Sequence, residues 1–254
     1  TYSIFSSLFG SALYRANSKS ISELFSCSDI LCIIISLFPT SVTSIASLES
    51  LDISRNAFVE TIPTEIGDLN VRYLNLSQNQ FVGEIPKQLG QIKQLLNFSA
   101  SSNQLTGEIP KELFELPALA AVSLSNNFLT GPLPENVASP NLEQISIANN
   151  NLTGMIPDSY STLPIFRLDL GYNNLEGEVP NFTNIGTFIL DFILAGNQFE
   201  GDLPAMPAGV RIINFDLSFN NFSGQIPTEY SELTTSRFNL SHNNLTGTIP
   251  EELQ

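Results

Sequence analysis

Apolar residues recur in one phrase along most of the chain: Leu-x-x-Leu-x-Leu, two further positions, an asparagine, one more residue, then Leu or Phe. It reads clearly as Leu48, Leu51, Ile53, Asn56 and Phe58, again as Leu119, Val122, Leu124, Asn127 and Leu129, and again as Leu142, Ile145, Ile147, Asn150 and Leu152. The period inside the phrase is two, which predicts a short strand with alternate side chains turned inward. The phrase itself returns every 23 or 24 residues. Ten of the fifteen prolines keep that spacing without a gap: Pro39, Pro63, Pro86, Pro110, Pro134, Pro157, Pro180, Pro204, Pro227 and Pro250. A fixed period of this size predicts stacked coils, none of which can bury its apolar edge alone.

An asparagine ladder runs in the same phase through Asn56, Asn79, Asn103, Asn127, Asn150, Asn173, Asn197, Asn220 and Asn243. Each lies where the chain leaves its strand, and its amide offers two donors and an acceptor to the backbone of its own and adjacent coils. Leaving one such buried partner unmade costs about 1–3 kcal/mol, so the ladder is expected to be structural. After the asparagine, eight coils carry a glycine: Gly83, Gly107, Gly131, Gly154, Gly177, Gly201, Gly224 and Gly247. Glycine permits positive φ and the following proline fixes φ, so each coil is expected to bend at the same place.

The complete string, such as Leu240-Ser241-His242-Asn243-Asn244-Leu245-Thr246-Gly247-Thr248-Ile249-Pro250, resembles the plant-type leucine-rich repeats of receptor-like proteins, receptor-kinase ectodomains and polygalacturonase inhibitors. The match covers about residues 45 to 254. The resemblance implies an α/β repeat solenoid, a right-handed superhelix with a concave parallel β-sheet and a second short sheet at the Thr-Gly bend. About nine full coils of 23–24 residues and one degenerate N-terminal coil are expected. It also implies ligand recognition on the concave side, in a secreted or cell-surface protein, without naming the ligand.

Residues 1–26 read as an N-terminal capping segment and 27–254 as the solenoid, with a degenerate first coil over 27–47. Cys27 and Cys32 can close a small loop in an oxidising compartment; the alternative is a buried Cys32 in place of a ladder asparagine. The apolar run Ile30 to Phe38 falls short of the roughly 20 residues a bilayer requires, so no transmembrane segment is expected within these residues. Residues Pro250 to Gln254 end within a coil, so the natural protein is expected to continue or a partner to cover this end. Seven Asn-x-Ser/Thr sequons, at Asn75, Asn97, Asn151, Asn181, Asn221, Asn239 and Asn244, fit an extracellular location. A glycan on Asn75 or Asn239, within strands, would block the concave side.

A formal charge of −15 with only ten Lys plus Arg argues against nucleic acid and anionic membranes as partners. Between the inward positions of each strand, a central column runs Asp52, Asn75, Ser99, Ser123, Ser146, Asp169, Ile193, Asp216 and Asn239. Flanking columns include Arg167, Asp191 and Arg237 on one side and Ser54, Ser77, Ser125, Ala148, Gly171, Ala195 and Ser218 on the other. The middle coils are small and nearly neutral, whereas Arg167, Asp169, Tyr172, Asp191, Asp216, Phe219, Arg237 and His242 concentrate charge and aromatic surface toward the C-terminal half. These eight are the candidate binding residues, since interfaces rely on a few aromatic and Arg anchors.

No enzyme is expected: the only histidine, His242, has no nucleophile arranged beside it in the pattern. Asp169, Asp191 and Asp216 lack the ordered spacing of a metal loop and interleave with Arg167 and Arg237, so neither metal nor cofactor is assigned. The favoured reading is a binding module for a protein or glycan. A structural subunit of a surface assembly is the alternative, motivated by loss of the repeat spacing at Asn181 to Phe188 and Ala205 to Val210. Ice binding ranks lower, because Glu176 and Glu200 interrupt the column Val82, Thr106, Thr130, Thr153, Ser223 and Thr246 that precedes the bend glycines.

Overall fold

The computed structural model describes residues 48–182 and 185–251. The proposed cap, degenerate first coil and Cys27–Cys32 pair lie outside them. Alternation within each repeat produces nine strands that pair in parallel into one sheet: Ser50–Asp52, Tyr73–Asn75, Asn97–Ser99, Ala121–Ser123, Gln144–Ser146, Arg167–Asp169, Phe188–Ile193, Arg211–Asp216 and Thr234–Asn239. The middle residue of each short strand points into a single continuous core. Within that core the Phe192 and Phe215 rings stack 5.6 Å apart, and the exposed Phe238 ring extends the stack at 5.4 Å.

A second parallel sheet of six strands follows the ladder: Val82–Glu84, Gln104–Glu108, Phe128–Gly131, Asn151–Gly154, Asn174–Glu178 and Gln198–Glu200. It forms one flank of the solenoid, here called the lateral sheet. The bend glycines have φ between 71 and 81°. Space demands glycine as well as φ at Gly107, where an added Cβ would lie 2.7 Å from the Glu84 side chain of the preceding coil. Beyond each bend the repeat proline precedes a helical turn at Thr64–Asp68, Lys87–Gln91, Lys111–Phe114, Asp158–Thr162 and Thr228–Glu232. Among the described residues no helix occupies 135–139, 181–187 or 205–210; the sequence departs from its spacing in the latter two.

The asparagine ladder is the seam between coils. Asn127 donates from Nδ2 to the Ala100 carbonyl of the preceding coil and the Leu124 carbonyl of its own, both at 3.0 Å, and its Oδ1 accepts the Leu105 N–H at 3.0 Å. Asn79, Asn103, Asn150, Asn173, Asn197, Asn220 and Asn243 repeat the arrangement. Each carbonyl of the series from Ile53 to Leu217 therefore serves two asparagines, as Leu124 O does for Asn127 and Asn150. The structural role expected for the ladder is the one it has.

Two tyrosines replace aliphatic residues in the helical turns and test how polar atoms are accommodated in this core. Tyr230 donates its hydroxyl to Pro204 O at 2.7 Å, whereas the buried Tyr160 hydroxyl has no hydrogen-bond partner among the described residues. Burial pushes both phenols above their ordinary pKa.

Asn127→Ala leaves the buried Leu105 N–H without its acceptor and should cost about 1–3 kcal/mol, read as a lower urea midpoint with an unchanged far-ultraviolet spectrum. The tyrosines should behave oppositely: Tyr230→Phe loses about 1 kcal/mol, while Tyr160→Phe is neutral or stabilising in the same titration.

Candidate functional site

The nine-stranded sheet is not uniform. Its first six strands are three residues long and its last three are six. The added residues precede the repeat strand, so the sheet widens on the side where the strands begin. Phe188 and Arg211 lie in that extension and pair in register. The Arg211 guanidinium sits 5.8 Å from the Phe188 ring centroid, and Phe166 lies 5.8 Å from the same ring. Phe166, Phe188 and Arg211 were not legible as site residues in the repeat pattern, because the extension depends on how the chain re-enters the sheet.

The middle of the widened sheet is polar. Arg167 pairs in register with Asp191, and Asp191 with Asn214. Arg167 Nε lies 2.7 Å from one Asp191 oxygen, and Asn214 Nδ2 donates to the other at 2.5 Å. Arg237 is exposed, in register with Asn214, with no ion-pair partner among the described residues. Ile193 separates Asp169 from Asp216 in the central column. The three aspartates thus do not converge on one point.

Asp169 and Asp216 also have local work. Asp169 Oδ1 accepts the Gly171 N–H, and Asp216 Oδ1 accepts the Ser218 N–H and hydroxyl. These are turns that close the strand ends, a role Asn75 and Asn239 share at Ser77 and Ser241. Burial raises the Asp169 carboxyl above its ordinary pKa; the Gly171 N–H and Arg167 oppose the shift and Asp191 adds to it.

Part of one flanking column is withdrawn from the surface. Ser77, Ala148, Gly171, Ala195 and Ser218 are buried. They are small because the next strand's backbone lies against them: a Cβ on Gly171 would sit 3.2 Å from the Ala195 carbonyl.

On the far rim, where the strands end, each coil holds the residue before its ladder asparagine in a left-handed conformation. Arg55, Gln78, Ser102, Asn126, Asn149, Tyr172, Phe219 and His242 have φ of 55–61°, and Gly196 completes the series at 69°. That region disfavours bulky L-residues and tolerates Asn and Gly. Yet Tyr172 and Phe219 are 57 % and 51 % exposed there. Tyr172 lies over Gly196, where an added Cβ would be 2.7 Å from its ring, and the Phe219 and His242 rings stack 4.0 Å apart. The structure therefore brings Tyr172, Phe219 and His242 onto one exposed ledge, across the sheet from Phe188 and Arg211.

The lateral sheet has a different surface. Its register is sheared, so Thr106 faces Phe128, Thr130 faces Asn151 and Thr153 faces Asn174. Threonines of successive coils are not direct partners, and Glu176 faces Gln198.

A family model described as Leucine Rich Repeat matches residues 47–69, 70–92, 141–163, 211–233 and 235–254. Among solved structures, a plant ice-binding protein is similar over 84% of this chain and 70% of its own, at 29% identity and a TM-score of 0.74. The Arabidopsis receptor kinase HAESA, in complex with the peptide hormone IDA and the co-receptor SERK1, is similar over 85% of this chain at 33% identity and a TM-score of 0.77. A TDR receptor matches 85% of this chain at 29% identity and a TM-score of 0.75. The chain spans only 37% and 38% of those two receptor chains. No curated protein matches. The chain is a leucine-rich-repeat solenoid with a concave parallel sheet, and its repeats match those of plant extracellular leucine-rich-repeat proteins. Among the described residues no helix is long and apolar enough to cross a membrane.

The raised pKa of Asp169 gives a signed prediction. Its folded-state value lies above the unfolded one, so its contribution to stability is greatest below the unfolded pKa and declines as pH rises through the folded one. Asp169→Asn keeps the Oδ1 acceptor for Gly171 and removes the buried charge. It should raise Tm relative to the parent at pH 7, and the difference should shrink as pH falls through the raised folded-state pKa and level off once pH is below the ordinary Asp value of about 3.9.

Proposed function

We propose that this chain is a non-catalytic extracellular recognition module that engages a protein or glycan partner across the C-terminal half of its concave sheet. The observation that carries this reading is the exposed aromatic ledge: Tyr172 and Phe219 stand in left-handed backbone that Asn or Gly would occupy at lower cost. Backbone strain of this kind costs on the order of 1–3 kcal/mol per residue and is concentrated at functional sites. The widened sheet supplies a second aromatic rim at Phe166 and Phe188, with Arg167, Asp191, Asn214 and Arg237 between the rims. The solved HAESA complexes, which hold a peptide hormone, support a peptide as the class of protein partner.

Ice binding is the reading that the plant ice-binding neighbour keeps in view. The sheared lateral register and the glutamates of that sheet count against a regular threonine array here. A structural-subunit role predicts instead a stable assembly that ignores the concave residues.

Screening the purified chain against arrays of synthetic peptides and plant cell-wall oligosaccharides tests the proposal. For any bound probe, Phe219→Ala and Arg167→Ala should each weaken binding at least tenfold, about 1.4 kcal/mol, while Tyr73→Ala at the other end of the sheet stays within about twofold. Equal losses at both ends, or none at Phe219 and Arg167, would place recognition elsewhere.

A further inference from the structure

The seven sequons fall into two structural classes. Asn75 and Asn239 sit half-buried in the central column of the concave sheet, and both ends of their amides are committed. Each Oδ1 accepts a backbone N–H, from Ser77 or Ser241, and each Nδ2 donates to a carboxylate, Asp52 or Asp216. The other five are exposed. Among the described residues the Asn181 side chain uses its Oδ1, which accepts the Ala205 N–H at 2.8 Å. An N-glycosidic bond replaces one Nδ2 hydrogen and leaves Oδ1 an acceptor, so that contact survives modification.

Three of the exposed sequons share one position in the repeat. Asn151, Asn221 and Asn244 each follow a ladder asparagine directly, at the start of the lateral segment, and their side chains make no hydrogen bond among the described residues. The ladder fixes the backbone on one side of them. On the other, the hydroxyls of Ser223 and Thr246 donate to the Gly201 and Gly224 carbonyls. The three attachment points are thus held on rigid backbone along one flank, directed away from the core.

We propose that Asn151, Asn221 and Asn244 carry N-glycans that shield the lateral flank of the solenoid, while Asn75 and Asn239 stay unmodified and leave the centre of the concave sheet open. The proposal rests on the extracellular reading. The reaction is that of a secretory-pathway transferase acting on this chain: Nδ2 attacks the anomeric carbon of a polyprenyl-diphosphate-linked oligosaccharide. The new C–N bond forms as the C–O bond to the diphosphate breaks, Nδ2 gives up one proton, and the polyprenyl diphosphate leaves. A glycan on Asn75 or Asn239 would leave one Nδ2 hydrogen and would crowd the Asp52 or Asp216 contact in a sheet whose neighbouring strands lie about 4.8 Å away. Asn97, exposed at the narrow end of the concave sheet, is compatible with a glycan that would leave the C-terminal half clear.

The test is site-by-site occupancy on the chain directed into the secretory pathway of insect cells by a heterologous leader. Folded, monodisperse protein is treated with a peptide amidase in heavy-oxygen water, so that every formerly glycosylated Asn becomes a tagged Asp read by mass spectrometry. The expected result is majority occupancy at Asn151, Asn221 and Asn244 and less than a tenth at Asn75 and Asn239. Bare lateral sites, or a majority glycan at Asn75 or Asn239 in the folded fraction, would overturn it. The triple variant Asn151→Gln, Asn221→Gln, Asn244→Gln should still secrete and lose three glycans from the intact mass; loss of none would equally sink the proposal. Because the leader is supplied, these outcomes are independent of where the protein natively resides. Glycopeptides from the native source test that separately, and their complete absence there would count against the extracellular reading alone.

Discussion

Every feature of this solenoid depends on an asparagine amide that bonds across the gap between two coils. A coil of 23 or 24 residues leaves its turning backbone with polar groups that its own short strands cannot satisfy. The ladder supplies the missing partners: Asn127, for example, serves two carbonyls and one N–H drawn from two coils. To aim the amide inward, the residue just before it turns left-handed, and its own N–H bonds to the next coil, as Tyr172 does to Ala195 and Phe219 to Ser241. The same constraint that closes the core thereby creates a row of outward positions at a fixed height on the rim.

What occupies that row separates scaffold from surface. Gln78, Ser102, Asn126 and Asn149 are polar and small or flexible, which suits an unremarkable solvated edge. From Tyr172 onward the row holds Tyr172, Phe219 and His242, with Gly196 beneath the Tyr172 ring, and from the coil after Tyr172 the concave strands double in length. Two independent departures from the repeat thus coincide at one end of the sheet. The Arg167–Asp191–Asn214 chain between the rims is partly sheltered, so its geometry is fixed before any partner arrives, which lowers the ordering cost of binding.

The fold was legible because its determinants are local and repeated: Asn127, Gly131 and Pro134 make one bend, and the same spacing makes the others. The candidate site was legible only where a residue keeps repeat phase, as Arg167, Asp191, Tyr172 and Phe219 do. Phe188 and Arg211 were missed because they precede the repeat strand and join the sheet only through the two irregular connections at 181–187 and 205–210. Ser77, Ala148, Gly171, Ala195 and Ser218, expected to point outward in a flanking column, are buried, because alternation gives a side chain's direction but not the proximity of the neighbouring backbone. Asp169 and Asp216 looked like a charged patch; their turn-closing bonds to Gly171 and Ser218 emerge only from three-dimensional distances.

The ladder also gives the molecule a direction in time. The Leu105 N–H is sealed by Asn127, and the Leu129 N–H by Asn150, partners that lie 22 and 21 residues further along the chain. During synthesis from the N-terminus, each coil therefore waits for an amide in the coil behind it before its own backbone is complete. Wherever the folded part of such a solenoid ends, its last coil has a backbone N–H still waiting for the amide of the next coil, and adding that coil seals it while opening another.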